Sequence, residues 1–160
     1  MSYKPIIFSV LILGIPAPSI AAEAPYQASV VKITDGDSLV VLVGREQIRI
    51  RLSEIDCPER KQPWGSRAKQ ALAAYSFRKM VNVFPVTEDR YGRTVATIFV
   101  DGINVNKAMV QDGHCWVYRR YVQDINFYDL ENEARAARRG LWSIPETDRV
   151  PPWEWRRKKR

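Results

Sequence analysis

The sequence holds one histidine and two cysteines in 160 residues. A single imidazole excludes catalytic and metal chemistry that needs several, and two thiols fall short of a four-thiolate zinc site. After residue 22 no run is apolar enough to span a membrane, which takes roughly 20 residues, and no segment repeats. Acidic residues are outnumbered, 18 Asp and Glu against 25 Lys and Arg, giving a net charge of +7. That surplus is uneven. Residues 1–22 contribute Lys4, and residues 153–160 contribute five basic side chains and Glu154, which leaves +2 for 23–152. Any anion-binding surface on the body must therefore come from local grouping of charges. With 46% hydrophobic and 27% charged residues the composition is globular. It excludes wholesale disorder and collagen-like repetition, and the length suits one domain.

Lys4 precedes an apolar run over 6–15, followed by Pro16, Pro18 and Ser19-Ile20-Ala21-Ala22. A basic start, about ten apolar residues and a small-residue exit predict a secretory signal peptide over 1–22, cleaved after Ala21 or Ala22. The product is then exported, periplasmic or secreted; an uncleaved N-terminal anchor is the alternative. In an oxidising compartment Cys57 and Cys115 are able to form a disulfide closing a long loop, worth about 4 kcal/mol in the chain-entropy model. Two free buried thiols are the other reading. Calcium is plentiful outside the cytosol, where even a weak oxygen-ligand site fills.

Runs of β-branched and apolar residues at 28–34 and 39–43 flank Asp35-Gly36-Asp37-Ser38, a tight-turn signal. A third run, 47–52, alternates, with Ile48, Ile50 and Leu52 toward a core and Arg49 and Arg51 away from it. These three strands predict an antiparallel meander. Beyond Pro58 and Pro63, Ala68, Ala71, Leu72 and Tyr75 recur at helical spacing and predict a helix over 66–79. Strands at 82–87 and 94–100 flank Asp89-Arg90-Tyr91-Gly92-Arg93. A helix over 104–111 ends at Asp112-Gly113. Another over 126–139 ends at Gly140, with Arg135, Arg138 and Arg139 suiting the negative end of its dipole. Residues 145–160 read as a basic, Trp-containing tail with little regular structure, expected to be flexible, in which Trp153 and Trp155 are able to touch nucleic acid or an envelope surface. The whole is mainly β (α+β). Five short strands with a helix between the third and fourth suggest a five-stranded OB-fold barrel over 23–144 with helices packed outside. An unrelated α+β sandwich gives a similar string.

Four places concentrate reactive side chains: Asp35-Gly36-Asp37, Arg51, Asp56-Cys57-Pro58-Glu59, and Arg90-Tyr91-Gly92-Arg93. Each alone has an ordinary explanation as a turn, a solvated strand residue or a loop. Together they describe one kind of site. Carboxylates without histidine suit a hard divalent cation. A guanidinium offers paired donors to phosphate oxygens and stays charged when partly buried. Phosphate-ester hydrolysis needs both, with a carboxylate to position or deprotonate water.

The chain resembles the thermonuclease (staphylococcal/micrococcal nuclease) family from about Ser29 to Trp142. The resemblance rests on Thr34-Asp35-Gly36-Asp37-Ser38, Arg51-Leu52, Asp56-Cys57-Pro58-Glu59, Asp89-Arg90-Tyr91-Gly92-Arg93, Asp101-Gly102 and Val105-Asn106-Lys107-Ala108-Met109-Val110-Gln111-Asp112-Gly113. It implies a five-stranded OB barrel with three helices. It implies one calcium ion held by Asp37, Asp56 and the main-chain oxygen of Cys57, with Glu59 as the base for, or orienter of, the attacking water. It further implies that Arg51 and Arg93 bind the scissile phosphate, and that Arg90, Tyr91, Tyr118 and Tyr121 contact substrate. Tyr121 matches one base-stacking tyrosine of the family; the other is Tyr118, or is replaced by Arg119. The expected protein is an exported, monomeric, calcium-dependent, sugar-nonspecific nuclease of DNA and RNA that leaves 3′-phosphate ends. A catalytically inactive OB-fold nucleic-acid binder is the alternative. Cys57 and Ser38 stand where the best-known member has threonine, and Arg90 where it has lysine. His114 and the tryptophans Trp116 and Trp142 read as structural.

Overall fold

The structure, a computed structural model, describes residues 24–158, so the expected signal peptide lies outside the described residues. In chain order the elements are β1 (Tyr26–Asp35), β2 (Ser38–Val43), β3 (Glu46–Leu52), β4 (Ile55–Asp56), α1 (Gly65–Ser76), β5 (Met80–Glu88), β6 (Thr94–Val100), β7 (Ile103–Asn104), α2 (Val105–Gln111), β8 (Trp116–Val117), α3 (Asn126–Ala136) and α4 (Pro152–Lys158). Two 3-10 turns, Gly140–Ser143 and Glu146–Asp148, lie between α3 and α4.

The long strands run β3-β2-β1-β5-β6, and β6 pairs parallel with β3 through Ile50–Thr94, Arg51–Val95 and Leu52–Ala96 to close a five-stranded barrel. This is the OB-type barrel. The period-2 alternation of its strands sends Val30, Leu39, Val41, Ile50, Leu52, Val83, Ala96 and Ile98 inward, where all are buried. The helix α1 covers β1 with Ala68 and Leu72. Gly36 sits below it: a Cβ there would come within 2.7 Å of the Ala68 Cβ and 2.9 Å of the Cys57 Cβ. The Asp-Gly turn is thus a packing requirement as well as a turn.

Two cross-links hold the helical side to the barrel. Buried Asn106 on α2 donates through Nδ2 to the carbonyls of Ser53 and Ala96, each at 3.1 Å, and accepts from the Ile98 amide at 3.1 Å. Cys57 and Cys115 are disulfide-bonded across 58 residues, with Cα atoms 4.2 Å apart. This tie lies beside the β4–β8 pairing, where Asp56 faces Trp116.

Two helix C-termini and the tail depart most from the sequence expectation. The first helix stops at Ser76 rather than 79, because the Arg78 amide donates to the Val30 carbonyl and the Val30 amide to that of Lys79. Pairing with β1 outcompetes another helical turn, and Arg78 adopts φ 61° to make the corner. The helix expected over 126–139 ends at Ala136. Arg138 turns left-handed at φ 51° and the Arg139 amide closes the end on the Ala134 carbonyl. Arg135 therefore occupies the last turn, with its guanidinium carbon 3.8 Å from the Trp142 ring centroid. Finally, the described residues carry the three expected helices and a fourth in the tail. The tail, expected to have little regular structure, forms α4. The Pro151 carbonyl accepts from the amides of Glu154 and Trp155, Pro152 suits a first helical position, and Trp153 packs edge-on against Trp116, with ring centroids 6.0 Å apart. No helix among the described residues is long and apolar enough to cross a membrane.

Candidate active site

The acidic part of the site is built where the β1–β2 turn meets β4. Asp37 is buried because its carboxylate satisfies two donors: Oδ2 accepts from the Cys57 amide at 2.8 Å and Oδ1 from the Ser38 hydroxyl at 2.9 Å. Asp56 on β4 is 1% exposed. Arg51, on the outward face of β3, lies between the two. Its Nη1 is 3.2 Å from Asp37 Oδ2 and its Nη2 is 3.0 Å from Asp56 Oδ1. The same Nη1 donates to the carbonyls of Leu52 and Ile55, each at 3.0 Å. Main-chain acceptors on both sides thus fix the guanidinium in place.

Glu59 is half exposed and enters from the loop before α1. Its amide donates to Gln62 Oε1 at 3.0 Å, and its carbonyl accepts from the Gln62 amide at 2.8 Å. Gly65 closes this loop; a Cβ there would fall on the Glu59 carbonyl oxygen. Burial raises the Asp56 pKa, and Asp37 adds to the rise, while hydrogen bonds and charge from Arg156 and Arg51 hold part of it back. Asp35 is also raised, first by burial, then by the charges of Asp37 and Glu59. Asp35, Asp37, Asp56 and Glu59 therefore form one electrostatic group, in which Asp35 had no assigned role.

Arg93 sits at the other edge. Its Nε and Nη2 lie 2.8 Å from Asp89 Oδ2, and its Nη1 reaches the Ser38 hydroxyl at 3.5 Å, which in turn donates to Asp37. Asp89 also accepts from the amides of Tyr91 and Arg93; these bonds outweigh burial and hold its carboxyl below the usual range. Tyr91 is exposed, with Arg90 Nη2 2.6 Å from its hydroxyl and the Arg93 guanidinium 5.6 Å from its ring centroid. A cleft of about 220 Å³ beside Arg93 is lined by Thr34, Asp35, Ser38, Leu39, Arg49 and Ile50.

Aromatic side chains flank the acidic group on the β8 side. Tyr118 and exposed Tyr121 meet edge to face, with centroids 4.8 Å apart. Arg119 turns away, toward the ring of Tyr128. Trp153 of α4 lies flat against Tyr118, with centroids 6.0 Å apart and planes 5° apart.

One turn further along α4, Arg156 enters the acidic group. Its Nη2 is 2.6 Å from Asp56 Oδ2, and its Nη1 is 3.2 Å from Asp56 Oδ1 and 2.8 Å from Glu59 Oε1. Burial works against its charge, but its hydrogen bonds to both carboxylates, and their negative charges, raise its pKa. Gln62 ties the same segment down from the other side, donating through Nε2 to the Val150 carbonyl. Neither Arg156 nor Gln62 is marked by local sequence; each works through a contact about 90 to 100 residues away.

As folded here, no three Asp, Glu, His or Cys side chains among the described residues converge as a ready-made ion cage. The Asp56 and Glu59 oxygens are turned onto a guanidinium instead. The donor set nevertheless suits a hard dication: it is anionic, all oxygen and mostly buried, and it already draws in a cationic group that bridges Asp56 and Glu59. The Cys57 sulfur is committed to the disulfide, so its main chain is what it has to offer a cation.

Residues 49–144 match the family model described as staphylococcal nuclease homologue. A micrococcal nuclease of Shigella flexneri is 43% identical over 159 residues, covering 92% of this chain and 87% of its own length. An uncharacterized endonuclease of Escherichia coli O157:H7 is 42% identical, covering 85% of this chain and 88% of its own length. One from Haemophilus influenzae is 33% identical, covering 100% of this chain and 89% of its own length.

Proposed function

Since the chain belongs to the staphylococcal nuclease homologues and is therefore a nuclease, a phosphodiester hydrolase acting on nucleic acid, we propose that it is an exported, calcium-dependent enzyme. In this reading it acts as a monomer, cuts both DNA and RNA with little sequence preference and leaves 3′-phosphate ends. The observation that carries it is the placement of two anchored guanidiniums around one group of carboxylates. Arg51 bridges Asp37 and Asp56, and Arg93 reaches Asp37 through Ser38.

Each residue then has a physical task. Asp37, Asp56 and the Cys57 carbonyl would hold the calcium ion, which would supply charge neutralisation for the carboxylates and for a phosphate oxygen. Arg51 and Arg93 present donors to the phosphoryl oxygens. Because Arg51 is held by the Leu52 and Ile55 carbonyls, and Arg93 by Asp89, neither has to reorganise as charge develops. Glu59, the half-exposed carboxylate of the group, takes or orients the proton of the attacking water. The Tyr118–Tyr121 pair stacks bases, and Arg90 and Tyr91 line the neighbouring surface. Stacking is sequence-tolerant because every base has a π-face, which fits cleavage with little preference. Export rests on the basic start, apolar run and small-residue exit of residues 1–22.

Digestion of single-stranded DNA and of RNA with calcium, and again with a chelator, tests this. Cleavage of both polymers that the chelator abolishes, with phosphate on the 3′ ends, is expected. Chelator-resistant cleavage refutes the metal mechanism, and 5′-phosphate products refute the assigned cleavage side.

A further inference from the structure

We infer that the C-terminal helix α4 is a tethered inhibitor of the nuclease site, in which Arg156 takes the position of the divalent cation between Asp56 and Glu59 and Trp153 takes the position of a base on Tyr118. This inference rests on the proposed reading of Asp56 as a calcium ligand, with Glu59 beside it, and of Tyr118 as a base-stacking side chain.

Three features of α4 carry it. Arg156 engages Asp56 with both terminal nitrogens, at 2.6 and 3.2 Å, and Glu59 with one of them at 2.8 Å. With Arg51 already on Oδ1, both Asp56 oxygens are occupied by guanidinium donors. Arg51 alone leaves Asp56 Oδ2 and the Glu59 carboxylate uncovered; Arg156 covers Asp56 Oδ2 and Glu59 Oε1, and a dication cannot take those oxygens while Arg156 stays there. Secondly, the helix reaches the aromatic pair at the same time. Trp153 and Arg156 are three residues apart and project from the same face of α4. One lies parallel to Tyr118 while the other meets the carboxylates. An indole stacked on Tyr118 and a cation on Asp56 reproduce the two chemistries that a nucleic-acid substrate and its metal bring. Thirdly, the segment is held at its root, where Gln62, from the loop that carries Glu59, donates to the Val150 carbonyl. Pro151 and Pro152 then start the helix next to the site.

The consequence is a coupling between two equilibria. With α4 docked, calcium meets a site in which Arg156 covers oxygens that Arg51 leaves open; with α4 displaced, Asp56 Oδ2 and Glu59 are free of that second guanidinium. The observed affinity is the intrinsic one reduced by the fraction of molecules whose helix is undocked. Calcium and the docked helix exclude each other, so each weakens the other by the same factor.

Calcium binding to the full chain, measured by calorimetry without nucleic acid, tests this independently of activity. Arg156→Ala is expected to tighten calcium binding by about tenfold, within the usual range of intramolecular couplings. Arg156→Lys, which keeps the charge but loses the two-pronged geometry, is expected to fall between it and the unmodified chain. Exposed Arg157 supplies the control: Arg157→Ala removes the same charge from the same helix and is expected to change affinity by roughly twofold at most, because an exposed charge is screened. Trp153→Ala is expected to shift affinity in the same direction as Arg156→Ala. Equal affinities in the unmodified chain and Arg156→Ala overturn the inference. So does weaker binding in Arg156→Ala, or an effect of Arg157→Ala as large as that of Arg156→Ala. An absence of calcium binding in every variant overturns both this inference and the calcium reading of the site, whereas binding that is insensitive to Arg156 overturns the inference alone.

Discussion

Arg51 Nη2 lies 3.0 Å from Asp56 Oδ1, and both side chains are largely buried, at 13% and 1% exposed. A paired, buried arginine of this kind is costly to remove from one side, because its partners lose compensation: Asp37 loses its guanidinium and Asp56 keeps only Arg156. Arg51 also holds the carbonyls of Leu52 and Ile55 and contacts Asp37. Its loss should therefore act on stability as well as on turnover. Arg51→Ala is expected to lower the unfolding free energy by about 3 kcal/mol and to reduce nuclease turnover at least as much as loss of Arg93. Urea unfolding followed by tryptophan fluorescence, alongside initial rates on single-stranded DNA, measures both. Unchanged stability would show that Arg156, already paired with Asp56, compensates it alone.

Glu59 and Arg93 are placed differently. Their side chains are 39% and 28% exposed, and each makes ion pairs at the surface of the site. Such pairs contribute about 1 kcal/mol or less. Glu59→Ala and Arg93→Ala are expected to leave the fold and thermal midpoint nearly intact. With the roles proposed above, turnover should fall by about 10²–10⁴-fold for Glu59, which handles the water's proton, and by about 10²–10³-fold for Arg93, which donates to the phosphate. Circular dichroism melts paired with rate measurements check this. A near-normal rate in either variant would remove that residue from the mechanism.

Much of the site can be read locally because its parts lie in short motifs at strand ends. Asp37, Arg51, Asp56 and Glu59 each sit at or just beyond the end of a strand, where an extended chain delivers a side chain to the barrel rim. The structure brings all four together. The boundaries of β6 were equally plain, since Thr94–Val100 is a run of β-branched and apolar residues. What local pattern could not supply was competition from distant partners. The first helix stops at Ser76 because Arg78 and Lys79 pair with Val30, which no periodicity encodes. The tail misled for a related reason. Its prolines and positive charges look solvated, yet Arg156 finds Asp56 across 100 residues and Trp153 finds Tyr118. Asp35 stood in view inside the Asp-Gly turn, but its membership of the acidic group depends on where Glu59 folds back.

The Cys57–Cys115 bond ties the segment after Asp56 to the residue before Trp116, immediately beside the β4–β8 pairing. Closing a loop of this length restricts the unfolded chain and is worth about 4 kcal/mol in the entropy model. Thiol titration of denatured, unreduced protein is expected to find no free thiol. Reduction is expected to lower the unfolding free energy by about that amount, read from the urea midpoint. Two free thiols before reduction would contradict the bond.

His114 supplies a pH dependence whose sign can be worked out. Its Nδ1 accepts from the Trp64 indole Nε1–H at 3.2 Å, and the two rings lie nearly parallel. Burial lowers its pKa below the ordinary 6.5, and the neighbouring Asp112 charge offsets this only in part. Asp112 itself accepts the Tyr75 hydroxyl. The folded state therefore prefers the neutral ring, while the unfolded chain takes up a proton at the ordinary value. The stability linked to His114 is fully present above about pH 6.5 and is lost as pH falls through the lower folded value. With one histidine in the sequence, a single imidazole resonance followed by NMR should titrate below 6.5. His114→Gln should remove this part of the acid destabilisation between pH 7 and 5, seen in urea midpoints. A resonance titrating above 6.5 would mean that Asp112, rather than burial, dominates the environment of the ring.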